Sequence, residues 1–327
     1  MRLPLARKNV PVAATTLVCV LLYVAACLRY EHFFSWLVFI NFFGDNAVLG
    51  LAAIGVTFVI LGGGIDLSMG AIIGCTSITV AKLITAGHVH PLIAIGLVLA
   101  LGAAFGAGMG SVIQFFRLPP FLVTLAGMFL ARGTGLVISQ ESVDIRHPLY
   151  TAVSDFSALN IPGTGLPMLP ATALIFLGVL LIAMYTAGYT RFGRNVYALG
   201  GSEPSALLMG LPVGRTKIAT YSISAFCSAL AGVVHTLYTS SGSAAEAGKM
   251  LELDAIAAVV IGGTLLTGGV GYVFGTLIGV LICGIIQTAI MFEGTLNSWW
   301  TRIAIGVLLL AFILLQKLVQ ARAAGRT

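Results

Sequence analysis

Long apolar runs follow one another along the chain with only short polar breaks between them. A membrane-crossing helix needs roughly 20 apolar residues. The pattern predicts ten such helices, at 11–28, 46–61, 69–86, 91–116, 118–139, 168–187, 217–239, 253–267, 271–292 and 297–316. The fold class is therefore all-α, a polytopic membrane protein forming one transmembrane domain over residues 1–327. The second and eighth runs are short, and both end in glycines. Two connections are long: an outer one at 140–167, rich in Pro, Gly and Ser, and an inner one at 188–216.

One break differs from the rest. Phe58-Val-Ile-Leu-Gly-Gly-Gly-Ile-Asp-Leu-Ser-Met-Gly70 sets three glycines and an acid between two apolar runs. Non-helical backbone at membrane depth persists only where protein or a water-filled path surrounds it, and an ionisable group there marks a functional site by default. Gly62, Gly63, Gly64, Asp66 and Ser68 are accordingly pathway or gate candidates, with Asn46 at the head of the same span. A second reading stands beside the first. Asp66 or Ser68 caps the third span by accepting from N–H groups that lack an intrahelical partner. The topology places the break near the cytoplasmic end of the second span, which favours the glycines over Asp66 as the functional part.

Composition agrees with the pattern. Apolar residues make up 58% of the 327 and charged residues 9%, far below the roughly 25% of a soluble domain. The formal net charge of +6 could point to nucleic acid, but the basic residues stand singly between apolar runs and form no patch. Membrane orientation accounts for them. With the N-terminus inside, Arg2, Arg7, Lys8, Arg117, Arg191, Arg194, Arg215, Lys217, Lys317, Arg322 and Arg326 are cytoplasmic, against Arg29, Lys82, Arg146 and Lys249 outside. That bias puts both termini in the cytoplasm. The cysteines (Cys19, Cys27, Cys75, Cys227, Cys283) sit inside apolar runs without metal spacing and read as small buried residues. Arg7-Lys8 and the run ending at Cys27 imitate a lipoprotein signal, but the run is long enough to stay as a first span.

The inner connection carries its own helix signal. Ser202 suits an N-cap, Pro204 the first helical position, and Gly210 the stop, giving a short amphipathic helix from Pro204 to Met209. A structured inner loop on an otherwise minimal membrane protein is a docking point for a soluble partner, or a helix lying on the headgroups. Gly102, Gly106 and Gly110, and likewise Gly271, Gly275 and Gly279, are spaced by four and lie on single helix faces for close packing. Their places in the fourth and ninth spans hint at an inverted five-helix repeat, as Gly62-Gly63 and Gly262-Gly263 hint at related span ends.

Reactive chemistry is sparse. No phosphate-binding GxxxxGK[ST] loop occurs, nor GxSxG, HExxH or a HxE…CxxC set, and His88 with His90 lacks a third metal ligand nearby. No catalytic residue, metal or cofactor is assigned to this chain. Glu252 and Asp254 open the eighth span, where acids also favour a helix N-terminus. Arg132 and Arg302 lie inside spans and either snorkel or face a polar cavity. Trp299 and Trp300 stack on a sugar ring or anchor at the membrane interface. Gly262, Gly263, Glu252, Asp254, Trp299 and Trp300 complete the pathway candidates.

The Phe58–Gly70 segment resembles the signature of permease subunits of ribose-type bacterial ABC importers, which belong with the branched-chain amino-acid permeases. So do Asn195-Val-Tyr-Ala-Leu-Gly-Gly-Ser-Glu-Pro-Ser-Ala-Leu-Leu-Met-Gly210 and Glu252-Leu-Asp-Ala-Ile-Ala-Ala-Val-Val-Ile-Gly-Gly-Thr264. The likeness covers nearly the whole chain. Gly294-Thr-Leu-Asn-Ser-Trp-Trp-Thr301 and Arg146-His-Pro-Leu-Tyr150 look most like the galactofuranose branch. The resemblance implies a multi-pass permease of the bacterial inner membrane, paired with a copy of itself or with a second permease. It also implies a periplasmic sugar-binding protein and a separate cytoplasmic ATPase that holds the ATP and Mg. The family's coupling helix falls on Ser202–Gly210, so Asn195, Gly200, Ser202, Glu203, Pro204, Ala206, Met209 and Gly210 are the expected ATPase-coupling residues. Ser202 stands where many relatives have Asn, and both residues cap helices. The competing class is a self-sufficient secondary sugar carrier or channel, which also uses broken helices and repeats.

Overall fold

In the computed structural model, residues 10–157, 168–295, 297 and 299–324 are described. They form α1 (Val10–Arg29), α2 (Trp36–Asp45), α3 (Ala47–Leu61), α4 (Met69–Thr85), α5 (Pro91–Phe116), α6 (Pro120–Ile138), β1 (Val143–Asp144) and α7 (Pro148–Ser157). After these come α8 (Ala171–Tyr189), α9 (Arg191–Gly201), α10 (Glu203–Leu208), α11 (Val213–Thr239), β2 (Ser241–Gly242), α12 (Leu251–Ile261), α13 (Val273–Glu293) and α14 (Trp299–Ala324). Each of the ten predicted spans contains a helix. Among the described residues six helices are individually long and apolar enough to cross a membrane, or seven when the bent pair α2–α3 is one span.

The bundle is built around α11, which packs on α5, α3 and α4. Its small face explains this. Gly102, Gly106 and Gly110 of α5 lie against Ala229, Ala225, Tyr221 and Ile218 of α11, close enough that added Cβ atoms would collide. Gly275 and Gly279 of α13 instead face Ala258 of α12 and its C-cap Gly262. The two glycine stripes thus serve different helix pairs, and Gly271 precedes α13 rather than lying on it. α3 is buried on nearly every side, as an apolar helix with no charged face requires. Cys227 and Cys283 are buried, the other three cysteines half-buried, and all five are free thiols. α1 runs unbroken through Cys27.

Several boundaries depart from the pattern. The second predicted span is preceded by α2, capped by the Ser35 side chain and bent 50° from α3. The polar pair Asp45-Asn46 masks this continuity in the sequence. Asn46 sits at the bend, where its side-chain amide donates to the Phe42 carbonyl at 2.9 Å. The outer connection holds β1, which pairs antiparallel with β2, and α7; its residues 158–167 lie outside the described set. The inner connection holds α9 as well as α10, and α11 begins at Val213, ahead of the predicted 217.

The eighth predicted span, 253–267, is corrected most. α12 has 11 residues, about 16 Å, or half of a hydrocarbon core roughly 30 Å thick. Gly262-Gly263 stop it, and Leu265 to Val270 form a turn closed by Leu265 N–H to the Val270 carbonyl at 3.0 Å. Leu265-Leu266 prolong the apolar run without prolonging the helix.

Candidate functional site

The two short spans end in the same way. After α3, Gly63 N–H donates to the Ile60 carbonyl (2.9 Å) and Gly64 N–H to the Val59 carbonyl (2.9 Å). After α12, Gly263 N–H donates to the Val260 carbonyl (2.9 Å) and Thr264 N–H to the Val259 carbonyl (3.2 Å). Gly63 and Gly263 are left-handed, with φ of 81° and 93°. This is the paired cap in which a left-handed glycine lets the chain turn back and satisfy carbonyls of the last turn. Each helix's last carbonyl finds a partner from elsewhere: Leu61 O accepts from Gly269 N–H at 2.9 Å, and Ile261 O from the Thr15 hydroxyl at 2.9 Å.

Around the α3 end, backbone meets backbone. A Cβ on Gly268 would stand 2.8 Å from Gly63, and one on Gly269 would stand 2.7 Å from Gly201. One on Gly200 would strike the Leu61 carbonyl. Gly62, Gly63 and Gly200, which the sequence singled out, are thus brought together with Gly201, Gly268 and Gly269, which it did not. The signal was present in Thr267-Gly-Gly-Val-Gly271, which the pattern reads only as the short break between the eighth and ninth spans.

From Gly64 the chain climbs in non-helical backbone to Ser68. Asp66 is fully buried and accepts from Ser68 N–H (2.8 Å), the Ser68 hydroxyl (2.6 Å) and the Ser224 hydroxyl (2.7 Å). Ser224 lies near the middle of α11, a helix of 27 residues or about 40 Å. Asp66 is therefore level with the middle of α11, away from the glycines at the end of α3. It holds the start of α4 through the Ser68 N–H, while Ser68 makes no side-chain cap bond of its own. Buried and fully bonded, it is a fastening between α4 and α11.

α12 starts at a similar height. Gly70 of α4 packs against the Glu252 carboxylate and the Gly248 carbonyl, and Glu252 is 9% exposed. Asp254, next along α12, lies within electrostatic reach of Arg302 on α14. The Arg302 guanidinium donates to Met250 Sδ at 3.1 Å and stands 5.7 Å over the Trp299 ring. Trp299 and Trp300 are exposed. An exposed aromatic face beside a half-buried guanidinium and carboxylate offers groups that stack on and hydrogen-bond to a polyhydroxyl ring. Trp299, Arg302 and Asp254 therefore form a second group, apart from the glycine junction, while Glu252 is buried against α4 and Trp300 is exposed.

On the inner loop, α10 runs from Glu203 to Leu208, one residue earlier at each end than the reading of the sequence. Ser202 caps it by accepting from Ser205 N–H at 3.3 Å, and Pro204 sits in its first turn. Gly210, at φ 71°, closes it with Leu211 N–H on the Ala206 carbonyl at 3.1 Å. Ala206 is buried with Leu199 and Val213, joining α9, α10 and α11. Leu208 is 90% exposed and Met209 65%. Glu203 and Lys217 form a 2.6 Å ion pair between α10 and α11. A cavity of about 720 Å³ opens behind them, lined by Gly62 to Gly64, Gln114, Lys217 and Tyr221. Asn195 is half-buried on α9. No cluster of three or more metal-ligating side chains occurs among the described residues.

Comparison with known proteins places the chain. Residues 38–313 match the family described as branched-chain amino acid transport system / permease component. The chain is 50% identical over 311 residues to the inner membrane ABC transporter permease protein YjfF of Escherichia coli (strain K12), covering 95% of this chain and 93% of that one. It is 38% identical to the fructose import permease protein FruG of Bifidobacterium longum (strain NCC 2705), covering 96% and 93%. It is also 38% identical to the ribose import permease protein RbsC of Escherichia coli (strain K12), covering 86% of each chain. No solved structure matches it.

Proposed function

The chain belongs to the branched-chain amino acid transport system / permease component family, and from that membership we propose that it is the permease subunit of an importer for a monosaccharide. It is a multi-pass inner-membrane transport subunit and not an enzyme. The family implies a separate ATPase and a substrate-binding partner. ATP hydrolysis belongs to that separate chain, and a periplasmic protein delivers the sugar. The permeases named for fructose and ribose support the substrate class. Galactofuranose is the specific sugar favoured by the Gly294–Thr301 and Arg146–Tyr150 stretches. Two permease chains pair, as copies of one chain or as two different chains. Both termini lie in the cytoplasm, in keeping with the basic residues of the inner segments.

The observation that carries the reading is α10. A capped helix on the inner loop presents Leu207, Leu208 and Met209 to solvent, with its back held by Ala206 and the Glu203–Lys217 pair. An apolar helix face of this kind fits a groove on a partner. The ATPase closes on ATP, draws the coupling helices of the two permeases together, and switches the pair between outward and inward openings. Such coupling requires that contacts at α10 differ between the two states. Sugar passes the Trp299, Asp254 and Arg302 face and leaves past the glycine-rich ends of α3 and α12. The assay is sugar uptake with ATP turnover in the assembled importer. Glu203→Arg combined with Gly210→Pro breaks the ion pair and forbids φ 71° at position 210, so uptake is lost while the ATPase still turns over. Unchanged uptake by that variant would remove α10 from the coupling role.

A further inference from the structure

The cavity behind α10 measures about 720 Å³, within the roughly 300–1,000 Å³ of small-molecule sites. Its walls are the end of α3, the turn between α5 and α6, the α9–α10 pair and the first turns of α11. Two polar groups on these walls are buried and unused. Tyr221 of α11 is 2% exposed, and its hydroxyl has no hydrogen-bond partner among the described residues. That hydroxyl lies against Gly64, also on the cavity wall, where a Cβ would strike it. Gln114 of α5 packs its amide on the start of α11, 3.3 Å from where a Cβ on Gly214 would stand. Its Oε1 is buried and accepts from no donor among the described residues.

An unpaired buried hydroxyl or amide oxygen is costly, and two of them on one cavity wall point to a ligand that pairs with both. The ligand must accept from the Tyr221 hydroxyl and donate to Gln114 Oε1, and a hydroxyl group does either. Charge narrows the choice. Lys217 is already neutralised by Glu203 at 2.6 Å on the same wall. Asp66 stands within electrostatic reach of Tyr221 and disfavours an anion beside that hydroxyl. Arg117, the other cation of the lining, is exposed. Leu118, Pro119 and Pro120 add an apolar wall for the C–H face of a ring. A neutral polyhydroxyl ring fits this set of groups.

We propose that this cavity is a second sugar site, which binds the imported monosaccharide from the cytoplasmic side through Tyr221 and Gln114 and slows further import. This rests on α10 being the ATPase-coupling helix, which puts the cavity on the cytoplasmic face. The bound sugar fills the space between α10 and the α5–α6 turn and resists movement of α10 into it. It thereby favours one state of the cycle over the other. Import falls as its product accumulates, with no contact at the Trp299 face.

The test uses the complete importer, with its ATPase and binding protein, in proteoliposomes. Uptake of labelled D-galactose, D-ribose or D-fructose, whichever is imported, is measured with and without the same unlabelled sugar on the ATPase side. In the parent, saturating sugar on that side should reduce the initial uptake rate about fivefold or more. Tyr221→Phe and Gln114→Leu each remove one hydrogen bond, so the sugar concentration that halves uptake should rise about fivefold in each. A parent that is not inhibited, or variants half-inhibited at the parent's concentration, would overturn the proposal. Equilibrium dialysis of the labelled sugar with the permease–ATPase complex, without the binding protein, gives a readout independent of transport. It is done on Trp299→Ala protein, so that the other face does not contribute. Adding Tyr221→Phe should weaken binding by about the same factor; equal binding with and without it contradicts the site. If Glu203→Arg with Gly210→Pro abolishes uptake while the parent is not inhibited, only the cavity site fails. If the double variant leaves uptake intact, the coupling-helix reading itself fails.

Discussion

Asp66 shows how one residue's meaning depends on depth. An acid beside three glycines in an apolar chain reads as a pathway group, and the residue types alone carry that reading. The structure buries it completely and gives its carboxylate three donors, two on Ser68 and one on Ser224. A carboxylate so enclosed supports the start of α4 and cannot face a passing sugar. Asp66→Ala leaves the Ser68 N–H and two hydroxyls without their acceptor, so it should cost about 3 kcal/mol of stability. The expected outcome is a lowered thermal unfolding midpoint and less folded protein, with uptake per folded molecule close to the parent. A variant that folds normally yet transports nothing would return Asp66 to the pathway. Ser224, 158 positions further along the chain, is the partner the sequence could not reveal, since a lone Ser in a Ser-rich helix carries no signal.

At the scale of elements, the all-α, multi-span character was legible because lipid demands long apolar helices and leaves little freedom in how they are written. α10 was legible too, since Ser, Pro and Gly at its start and stop act through local hydrogen bonds and φ values. What escaped was whatever depends on contacts between distant segments. α12 stops at half length because Gly263 turns left-handed, while Leu265-Leu266 beyond it look like more helix. α2 was lost behind Asp45-Asn46, though Asn46 heals the break through the Phe42 carbonyl. α9 was missed because its glycines and arginines weaken the apolar pattern, yet its face of Gly193, Val196 and Leu199 is buried. The exposed end of α10 gives an element-level prediction. Leu208→Asp puts a charge where an apolar partner groove would sit, and its loss of contact should weaken ATPase association by roughly tenfold or more without lowering the permease's own melting temperature. Co-purification of the ATPase with the variant at the parent's yield would argue against docking through this face.

Over the whole molecule, the short spans α3 and α12 organise the rest. Both end in the same glycine cap, and α9 meets the α3 end and the loop after α12 directly through Gly200 and Gly201. α12 begins beside α4, and the exposed Trp299 with the half-buried Arg302 and Asp254 stands near that start. Discontinuous helices meeting inside the membrane are where transporters place substrates. If sugar passes this face as proposed, Trp299→Ala and Asp254→Asn should each reduce uptake several-fold while leaving ATP turnover without sugar unchanged, since neither residue touches α10. The most direct test of the account is reconstitution: the purified permease is placed in liposomes alone, and again with its ATPase and sugar-binding protein, and entry of labelled sugar is followed. Sugar should enter only with the ATPase, the binding protein and ATP together. Entry into liposomes holding this chain alone would contradict the account and make the protein a self-sufficient carrier.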